Sequence, residues 1–364
     1  MIAEIGGKVA LEWIVNWIVK NAPNIIVGPL KEQIAILQAD LDEHKRIRSA
    51  VDKTFTALSS DDTGLWRAKE PFPPFADYND RIGRIAAPGS AARRPAIITL
   101  INYKGGVGKT TTAANLAAYF DGIGKRVLLL DLDYQGSLTT VLEAVSGRQD
   151  RSQGIVHLLE RGDSATLLSK ATVRLGAKLA RSSLAPAFYG LARAEERIMM
   201  EWLLDIVDDD VRYRLARILL DDGLSKQYDI VLIDAPPRLT TASINALCAS
   251  THVLVPAIFD KLSSEPVVNF IAETQTLMNR LNPRLSFLGI LETMVPPANW
   301  SRDPRQAARE LVLNQLSHRA PSVAILETSI KRNPELTGGG LGTGDVKKMF
   351  AELGEEISSK LGVI

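Results

Sequence analysis

Residues 96–111 read AIITLINYKGGVGKTT, and this stretch decides the fold. Its first six residues are aliphatic or β-branched, which predicts a strand buried on both faces. A glycine-rich run follows, and then a lysine–threonine pair that opens a helical stretch. A strand, a glycine loop, Lys-Thr and a helix in this order are the context that a phosphate-binding loop requires. The stretch therefore predicts a nucleotide site in an α/β domain.

The residue types in this loop suit the binding of phosphate. Glycines let the backbone turn tightly, so that N–H groups and the dipole of the following helix point at phosphate oxygens. Lys109 should reach the β- and γ-phosphates, and the Thr110 hydroxyl should bind Mg²⁺. The expected nucleotide-binding residues of the glycine loop and the first helical turn are Gly105, Gly106, Val107, Gly108, Lys109, Thr110 and Thr111.

Beyond the loop, short apolar runs alternate with helical stretches. The runs cover residues 126–130, 230–233, 253–258 and 287–291. Parallel strands that are buried on both faces and connected by helices have this pattern. We therefore predict an α/β fold, with a doubly wound, mostly parallel sheet of the P-loop NTPase type over 96–364. A small α-helical N-terminal region precedes it.

Three carboxylates follow two of these apolar runs. Asp131 and Asp133 come after the second run, and Asp234 ends the run at 230–233. Because the carboxyl ends of parallel strands lie at one edge of a sheet, these side chains should lie beside the glycine loop. Four apolar residues that end in Asp are typical of a Walker B strand, whose carboxylate holds Mg²⁺ through water. As an alternative, Asp133 or Ser137 caps the next helix.

Three segments together resemble the ParA/MinD family of ATPases. The run KGGVGKTT at 104–111 resembles that family's deviant Walker A box. DLDYQGS at 131–137 is similar to its DxDPQGN segment, with Tyr134 in the proline position. YDIVLIDAPP at 228–237 is similar to its YDxxxxDxPP strand. The resemblance covers residues 97–362, is closest to the ParA-type partition ATPases, and implies their P-loop fold.

The resemblance also implies roles for single residues. Lys104, the first lysine of the deviant box, would cross a dimer interface to the partner's nucleotide and stabilise charge on the transferred phosphoryl group. Asp133 would orient the attacking water, and Asp131 would lie beside the Mg²⁺ shell. The segment IKRN at 330–333 resembles a turn near the adenine, which makes Asn333 a candidate base contact. The resulting catalytic set is Lys104, Lys109 and Asp133, and the metal set is Thr110, Asp131 and Asp234.

A member of this family would use ATP and Mg²⁺, form a homodimer in the ATP state and hydrolyse ATP slowly until a ParB-like or other partner stimulates it. The resemblance implies a bacterial cytosolic or nucleoid-associated protein that binds DNA non-specifically and positions or segregates DNA or other cargo. The alternative is a nucleotide-gated interaction switch. It would act on a partner protein or a membrane through the N-terminal helices, in regulation or defence.

Composition limits these alternatives. The chain has 364 residues, and its 43 Lys and Arg against 42 Asp and Glu give a net charge of +1, so DNA binding must come from a local patch. Cys248 is the only cysteine, which excludes an internal disulfide and a cysteine metal cage within one chain and fits a reducing cytosol. Candidate DNA-binding patches, for which surface solubility is the alternative, contain Lys170, Arg174, Lys178 and Arg181, or Arg302, Arg305, Arg309, Arg319, Lys331 and Arg332.

The residues before 96 differ in pattern from those that follow. We predict a helical N-terminal region at 1–60 that contacts a partner or another copy, a proline-rich linker at 61–95 and an ATPase domain at 96–364. KVALEWIVNWIVK at 8–20 has one narrow polar stripe, so as a helix it would bury most of its surface. Contact of this helix with protein is favoured over contact with a membrane. Residues 31–58 are predicted as a second, long helix.

The C-terminal stretch has apolar residues at helical spacing. Val346, Phe350, Leu353 and Ile357 recur every three or four positions. Acidic residues on the same stretch would be repelled by anionic lipid. A final helix that packs on the core is therefore favoured over a membrane anchor.

Overall fold

The computed structural model describes residues 28–58, 63–67, 69–71, 95–147, 154–161, 165–221, 223–260, 264–296, 304–336 and 341–362. Its strands are β1 (Ala96–Leu100), β2 (Val127–Asp131), β3 (Val173–Arg174), β4 (Ser182–Ala185), β5 (Ile230–Asp234), β6 (His252–Ala257), β7 (Ser286–Val295) and β8 (Ile325–Lys331). Its helices are α1 (Gly28–Leu58), α2 (Gly64–Arg67), α3 (Lys109–Gly122), α4 (Ser137–Ser146), α5 (Ile155–Arg161), α6 (Ala165–Ala171), α7 (Gly190–Leu203), α8 (Arg214–Leu219), α9 (Leu224–Gln227), α10 (Thr241–Ala249), α11 (Ser264–Leu281), α12 (Pro304–Arg319) and α13 (Gly344–Leu361).

In these parts of the chain the strands form one eight-stranded sheet in the order β3-β4-β2-β5-β1-β6-β7-β8. Only β3 runs antiparallel to its neighbour, and the other neighbouring strands are parallel. This confirms the predicted doubly wound, mostly parallel architecture. The register aligns Asp131 with Asp234 and Leu100 with Asp234, so the ends of β2, β5 and β1 lie side by side. The segments that follow these strands share one edge of the sheet.

Hydrophobic cores cover both faces of the sheet. Ile97 and Ile101 pack into one core, whereas Ile98 and Leu100 pack into the other. Because successive side chains of a strand point to opposite faces, a strand that is buried on both sides is almost entirely apolar, as β1 is apart from Thr99, whose hydroxyl bonds to the Ser250 hydroxyl at 2.6 Å. Burial of each such aliphatic side chain stabilises the fold by about 1.5–3 kcal/mol.

The final helix packs on the core, as predicted. Val346, Phe350, Leu353 and Ile357 of α13 are buried and belong to the same core as the helix α3. A Cβ atom at Gly354 would lie 2.1 Å from the Tyr119 ring, so α13 and α3 approach closely at this point. No helix in the described parts of the chain is long and apolar enough to cross a membrane.

The long N-terminal helix predicted at 31–58 is present as α1. Ala50 is buried, whereas Ile36, Leu37 and Leu41 are exposed by 58%, 66% and 39%. The predicted helix at 8–20 lies outside the described residues. The basic patch predicted at 170–181 does not form one helical face, because the chain passes from α6 through β3 and a short 3-10 turn at Ala177–Leu179 into β4.

Part of the predicted linker packs into the α/β domain. Trp66 is 2% exposed and stacks on Trp202 with ring centroids 6.2 Å apart. The fully buried Arg212 pairs with Asp210 at 2.6 Å and donates hydrogen bonds to the backbone carbonyls of Trp66 (2.6 Å), Lys69 (3.1 Å) and Glu70 (3.3 Å). Residues 63–71, within the predicted linker, thus contact the α/β domain through Trp66 and through the carbonyls that Arg212 binds. The division into three regions stays a prediction.

Candidate nucleotide-binding site

The glycine loop joins the end of β1 to the start of α3. Gly106 and Gly108 have φ angles of 71° and 86°, a left-handed conformation that residues with a Cβ atom adopt at a cost. Gly108 stands at the N-cap position of α3, and no side chain caps the helix there. The first N–H groups of the helix are therefore available to an external acceptor. An anionic group suits this position because the helix dipole also favours negative charge.

Lys109 is held in a fixed orientation under the loop. Its side chain is 7% exposed, and its Nζ atom donates to the backbone carbonyls of Asn102 (3.2 Å) and Lys104 (3.3 Å). An ammonium group has three N–H bonds, so one remains for a further acceptor. Burial lowers the pKa of Lys109, and the nearby carboxylates of Asp234 and Asp133 oppose that shift.

Thr110 and Asp234 form a pair of oxygen groups next to this lysine. The Thr110 hydroxyl donates to Asp234 Oδ2 at 2.6 Å, whereas the buried Asp234 Oδ1 has no hydrogen-bond partner in the described parts of the protein. Burial, followed by the charge of Asp131, raises the pKa of Asp234. An unpartnered carboxylate oxygen beside a hydroxyl fits Mg²⁺, which prefers oxygen ligands. Among the described residues no group of three or more His, Cys, Asp or Glu side chains could hold a metal ion. Mg²⁺ commonly keeps several water ligands and is bound by one or two protein groups together with substrate phosphates.

Asp131 organises the loop that follows β2. It is fully buried, and its Oδ2 atom accepts hydrogen bonds from the backbone N (2.8 Å) and Oγ1 (2.7 Å) of Thr139, while Oδ1 accepts from the Asp133 N–H (3.2 Å). Burial raises the pKa of Asp131. The alternative that Asp133 or Ser137 caps α4 is wrong, because the N-cap position is Gly136 and the carboxylate at the helix start belongs to Asp131. Asp131 thus lies beside Asp234 with its oxygens already engaged, and its place in the metal set stays a prediction.

Asp133 lies at the wall of the cleft, half-buried. Its Oδ1 atom accepts from the Gln135 N–H at 3.0 Å, and its backbone carbonyl accepts from the Gly136 N–H at 2.8 Å, which closes a tight turn. The Tyr134 ring, in place of the family's proline, lies 5.0 Å from the Arg238 guanidinium carbon. Proline at position 134 would restrict the backbone of this loop. In its place, the cation–π contact of Tyr134 and the hydrogen-bonded turn at Asp133 hold the loop.

These groups surround a cleft of about 720 Å³. The predicted residues that line it are Gly105, Gly106, Gly108, Lys109, Thr110, Thr111, Asp133 and Asn333. Val107 is buried beneath the loop, and Asp131 and Asp234 lie behind the wall. Lys104 does not line the cleft, and its Nζ atom lies 3.3 Å from Asp260 Oδ2 at the surface. Asn333 lines the cleft together with Ile330 and Leu336, and its role as a base contact stays a prediction.

Thr293 and Met294 are among the lining residues of the cleft that were not predicted as site residues. The Thr293 hydroxyl is within hydrogen-bonding distance of the carbonyls of Val107 (2.9 Å) and Ala257 (3.1 Å), which fixes the glycine loop to β6 and β7. Met294 has a φ angle of 55°, an uncommon conformation for a residue with a side chain. The motif-like run ILETM at 290–294 could have indicated both residues, since it ends a strand next to the glycine loop.

Comparisons with known proteins agree with this geometry. The AAA_31 family, described as an AAA domain, matches residues 95–287. The chain is 40% identical over 197 residues to the chromosome-partitioning ATPase Soj of Thermus thermophilus, covering 54% of this chain and 68% of that protein. It is 34% identical over 201 residues to the chromosome partitioning protein ParA of Myxococcus xanthus, covering 54% of this chain and 64% of that protein.

A solved structure aligns with a larger share of the chain than the family model does. Cobyrinic acid a,c-diamide synthase from Mycobacterium smegmatis, with bound ATP analogue and magnesium, aligns with a TM-score of 0.57 at 28% identity. The alignment covers 74% of this chain and 97% of that one. The shared fold therefore reaches past the matched family segment.

Proposed function

The chain belongs to the AAA_31 family of ParA/MinD-type ATPases, and from this premise we propose that it is an ATP-driven dimerisation switch. One observation supports the proposal most directly. A buried lysine anchored by two carbonyls and an unpartnered Asp234 oxygen beside Thr110 meet at the open start of α3. This combination suits a nucleoside triphosphate with Mg²⁺ and few other ligands.

In the proposed mechanism, N–H groups of the glycine loop and the first turn of α3 bind the phosphates, and Lys109 donates to the β- and γ-phosphates. Thr110 and Asp234 would hold Mg²⁺, which would neutralise charge on the phosphate oxygens. Asp133 orients the attacking water. Asn333 contacts the base from the opposite wall. The chemistry is in-line hydrolysis of ATP to ADP and phosphate.

Lys104 completes the site from the second subunit. Within its own chain it forms an ion pair with Asp260, and both side chains are more than two-fifths exposed, at 43% and 45%. Exposed ion pairs contribute only about 0–1 kcal/mol, so this contact does not oppose reorientation strongly. In the proposed dimer this lysine, which is not among the lining residues of its own cleft, reaches the partner's nucleotide. Nucleotide state would then control dimerisation, which is the output of the switch.

Replacement of Lys104 by alanine tests this arrangement. We expect the variant to bind Mg-ATP but to stay monomeric, whereas the unchanged protein dimerises with a slowly hydrolysed ATP analogue. Light scattering after size exclusion measures the mass, and nucleotide fluorescence measures the binding. Lys125→Ala is the matched control, since Lys125 precedes β2 at the opposite edge of the sheet. Nucleotide-dependent dimers of the Lys104 variant would refute the cross-subunit role.

We further propose that the dimer positions DNA or another cargo and that a ParB-like or other partner stimulates hydrolysis. Of the candidate basic residues, Arg305 and Arg309 face Glu292 at 3.2 and 3.9 Å, whereas Lys331 and Arg332 are exposed at the rim of the cleft. Dimerisation would bring two such rims together. A locally basic surface can then form on a chain whose net charge is +1.

DNA binding separates this function from the alternative. We expect the protein with Mg-ATP to bind duplexes of arbitrary sequence, and the affinity to fall by about 10³-fold or more between 50 and 200 mM salt for some six phosphate contacts. Fluorescence anisotropy of a labelled duplex measures the affinity, and the protein with ADP in place of ATP is the control. Absence of salt-sensitive binding in the ATP state would overturn the cargo-on-DNA model. The alternative function, a switch that acts through the N-terminal region, would then be favoured. The exposed apolar side chains of Ile36, Leu37 and Leu41 on α1 support this alternative.

A further inference from the structure

The helix α7 begins next to the candidate site. Ala187, three residues before the helix, donates its N–H to Thr139 Oγ1 at 3.0 Å, and the same hydroxyl donates to Asp131 Oδ2 at 2.7 Å. A Cβ atom at Gly136 would lie 3.0 Å from the Ala187 carbonyl oxygen, so the loop that carries Asp133 also touches this point. A shift of either aspartate therefore reaches the residues that lead into α7.

The middle of α7 is bonded to the chain that follows Asp234. Glu195 is 6% exposed, and its Oε1 atom accepts the Ala242 N–H at 2.8 Å. The Thr241 hydroxyl donates to the Glu195 carbonyl at 3.1 Å. Ala242 lies in the first turn of α10, where a carboxylate is favoured by the helix dipole. The segment after β2 therefore contacts the residues that lead into α7, and the start of α10, which follows the loop after β5, is bonded to the middle of α7.

The other end of α7 holds the N-terminal region. Lys69 donates to the backbone carbonyl of Trp202 and pairs with the Asp205 carboxylate. Arg46 of α1 donates to the backbone carbonyl of Asp205. Trp66 stacks on the Trp202 ring. A cation at the last carbonyls of a helix is favoured by its dipole, so Lys69, two residues after α2, is held at this terminus by charge, while Arg46 of α1 contacts the chain two residues beyond it.

We propose that α7 transmits the nucleotide state of the site to α1, and that Glu195 is the positioning residue that couples the chain after Asp234 to this helix. The proposal rests on the proposed function only in that nucleotide must bind. The helix has 14 residues and so spans roughly 21 Å as one rigid element. Coupling requires that it shift between two arrangements, as helices that pass a displacement between sites do.

Hydrogen exchange of the full chain tests the proposal, with and without magnesium and a slowly hydrolysed ATP analogue. In the unchanged protein we expect peptides from 104–111 and from 35–52 both to change their exchange rates, the second by about fivefold. Glu195→Ala should keep the change at 104–111 and lose the change at 35–52. Glu195→Gln, which keeps an acceptor oxygen for the Ala242 N–H, should restore the change at 35–52. Glu196→Ala, on the exposed side of the same helix, should behave like the unchanged protein.

A second variant avoids the buried carboxylate. Arg46→Ala removes the contact of α1 with the Asp205 carbonyl at an exposed position, so it should leave ATP turnover unchanged and lose the response at 35–52. Arg48→Ala, two residues along the same helix, should keep that response. Protection at 104–111 without any change at 35–52 in the unchanged protein would overturn the proposal and leave the proposed function standing. Absence of protection at 104–111 would instead refute nucleotide binding itself.

Discussion

Replacement of Lys109 by alanine is expected to reduce ATP turnover by about 10²–10³-fold or more, the usual loss when one donor to the reacting group is removed. ATP affinity should fall with it by roughly 100-fold, since a hydrogen bond between charged groups contributes about 1.5–3 kcal/mol. The cause is specific to this side chain. Its ammonium is held by the carbonyls of Asn102 and Lys104, so its third N–H is directed before any ligand arrives. Isothermal titration and phosphate release measure the two losses.

Lys331→Ala is the appropriate comparison for this variant, because Lys331 lines the same cleft but is exposed. It should weaken ATP binding much less than Lys109→Ala. Circular dichroism should show that both variants keep the fold. Tight ATP binding by the folded Lys109 variant would contradict its assignment to the phosphates.

Replacement of Asp133 by alanine should separate binding from chemistry. We expect unchanged ATP affinity and ATP-dependent dimerisation, and a fall in turnover of about 10²–10⁴-fold, the usual contribution of a positioned general base. Asp133 can have this effect because its carboxylate lies at the wall of the cleft beside Lys109 and Thr110, while Asp131 and Asp234 are fully buried behind it. Single-turnover phosphate release, with dimer mass measured in parallel, provides both readouts.

Asp133→Asn refines this experiment. The amide keeps an oxygen for the Gln135 N–H, so the turn is preserved while the charge is lost. If the charge orients the water, the asparagine variant should be as slow as the alanine variant. The control is Asp208→Ala, at an exposed aspartate in a loop outside the cleft, which should turn over normally. Full turnover in Asp133→Ala would refute the role of this residue.

The elements that carry a local signal could be predicted from the sequence. The β1 run, the glycines at 106 and 108 and the spacing of Val346, Phe350 and Leu353 each reflect a constraint within a few residues, namely burial on two faces, a left-handed turn and one helical face. The same holds for Asp234, which ends an apolar strand. The order of the motifs then predicted that the glycine loop and Asp234 lie at one edge of the sheet.

The contacts that organise the site could not be predicted, because they join residues far apart in the chain. Thr139 and Glu195 are ordinary residues of helices until the fold brings the first to Ala187 and the second to Ala242. Thr293 acts on Val107 across 186 positions. Sequence also could not distinguish an aspartate engaged by its own fold, Asp131, from one at the cleft wall, Asp133, since both follow the same strand.

The contacts of the buried Arg212 bear on where the domain begins. A domain can be defined by the segment that matches a family or by the segment that packs together. The segment that the family shares starts at residue 95, yet three acceptors of this guanidinium belong to residues 66, 69 and 70. A buried charge that loses partners costs roughly 3–5 kcal/mol, which is comparable to the 5–15 kcal/mol that keeps a typical protein folded. The segment that matches the family and the segment that packs as one unit therefore begin at different residues. We therefore expect residues 66, 69 and 70 to unfold together with the α/β domain, although they precede the segment that matches the family.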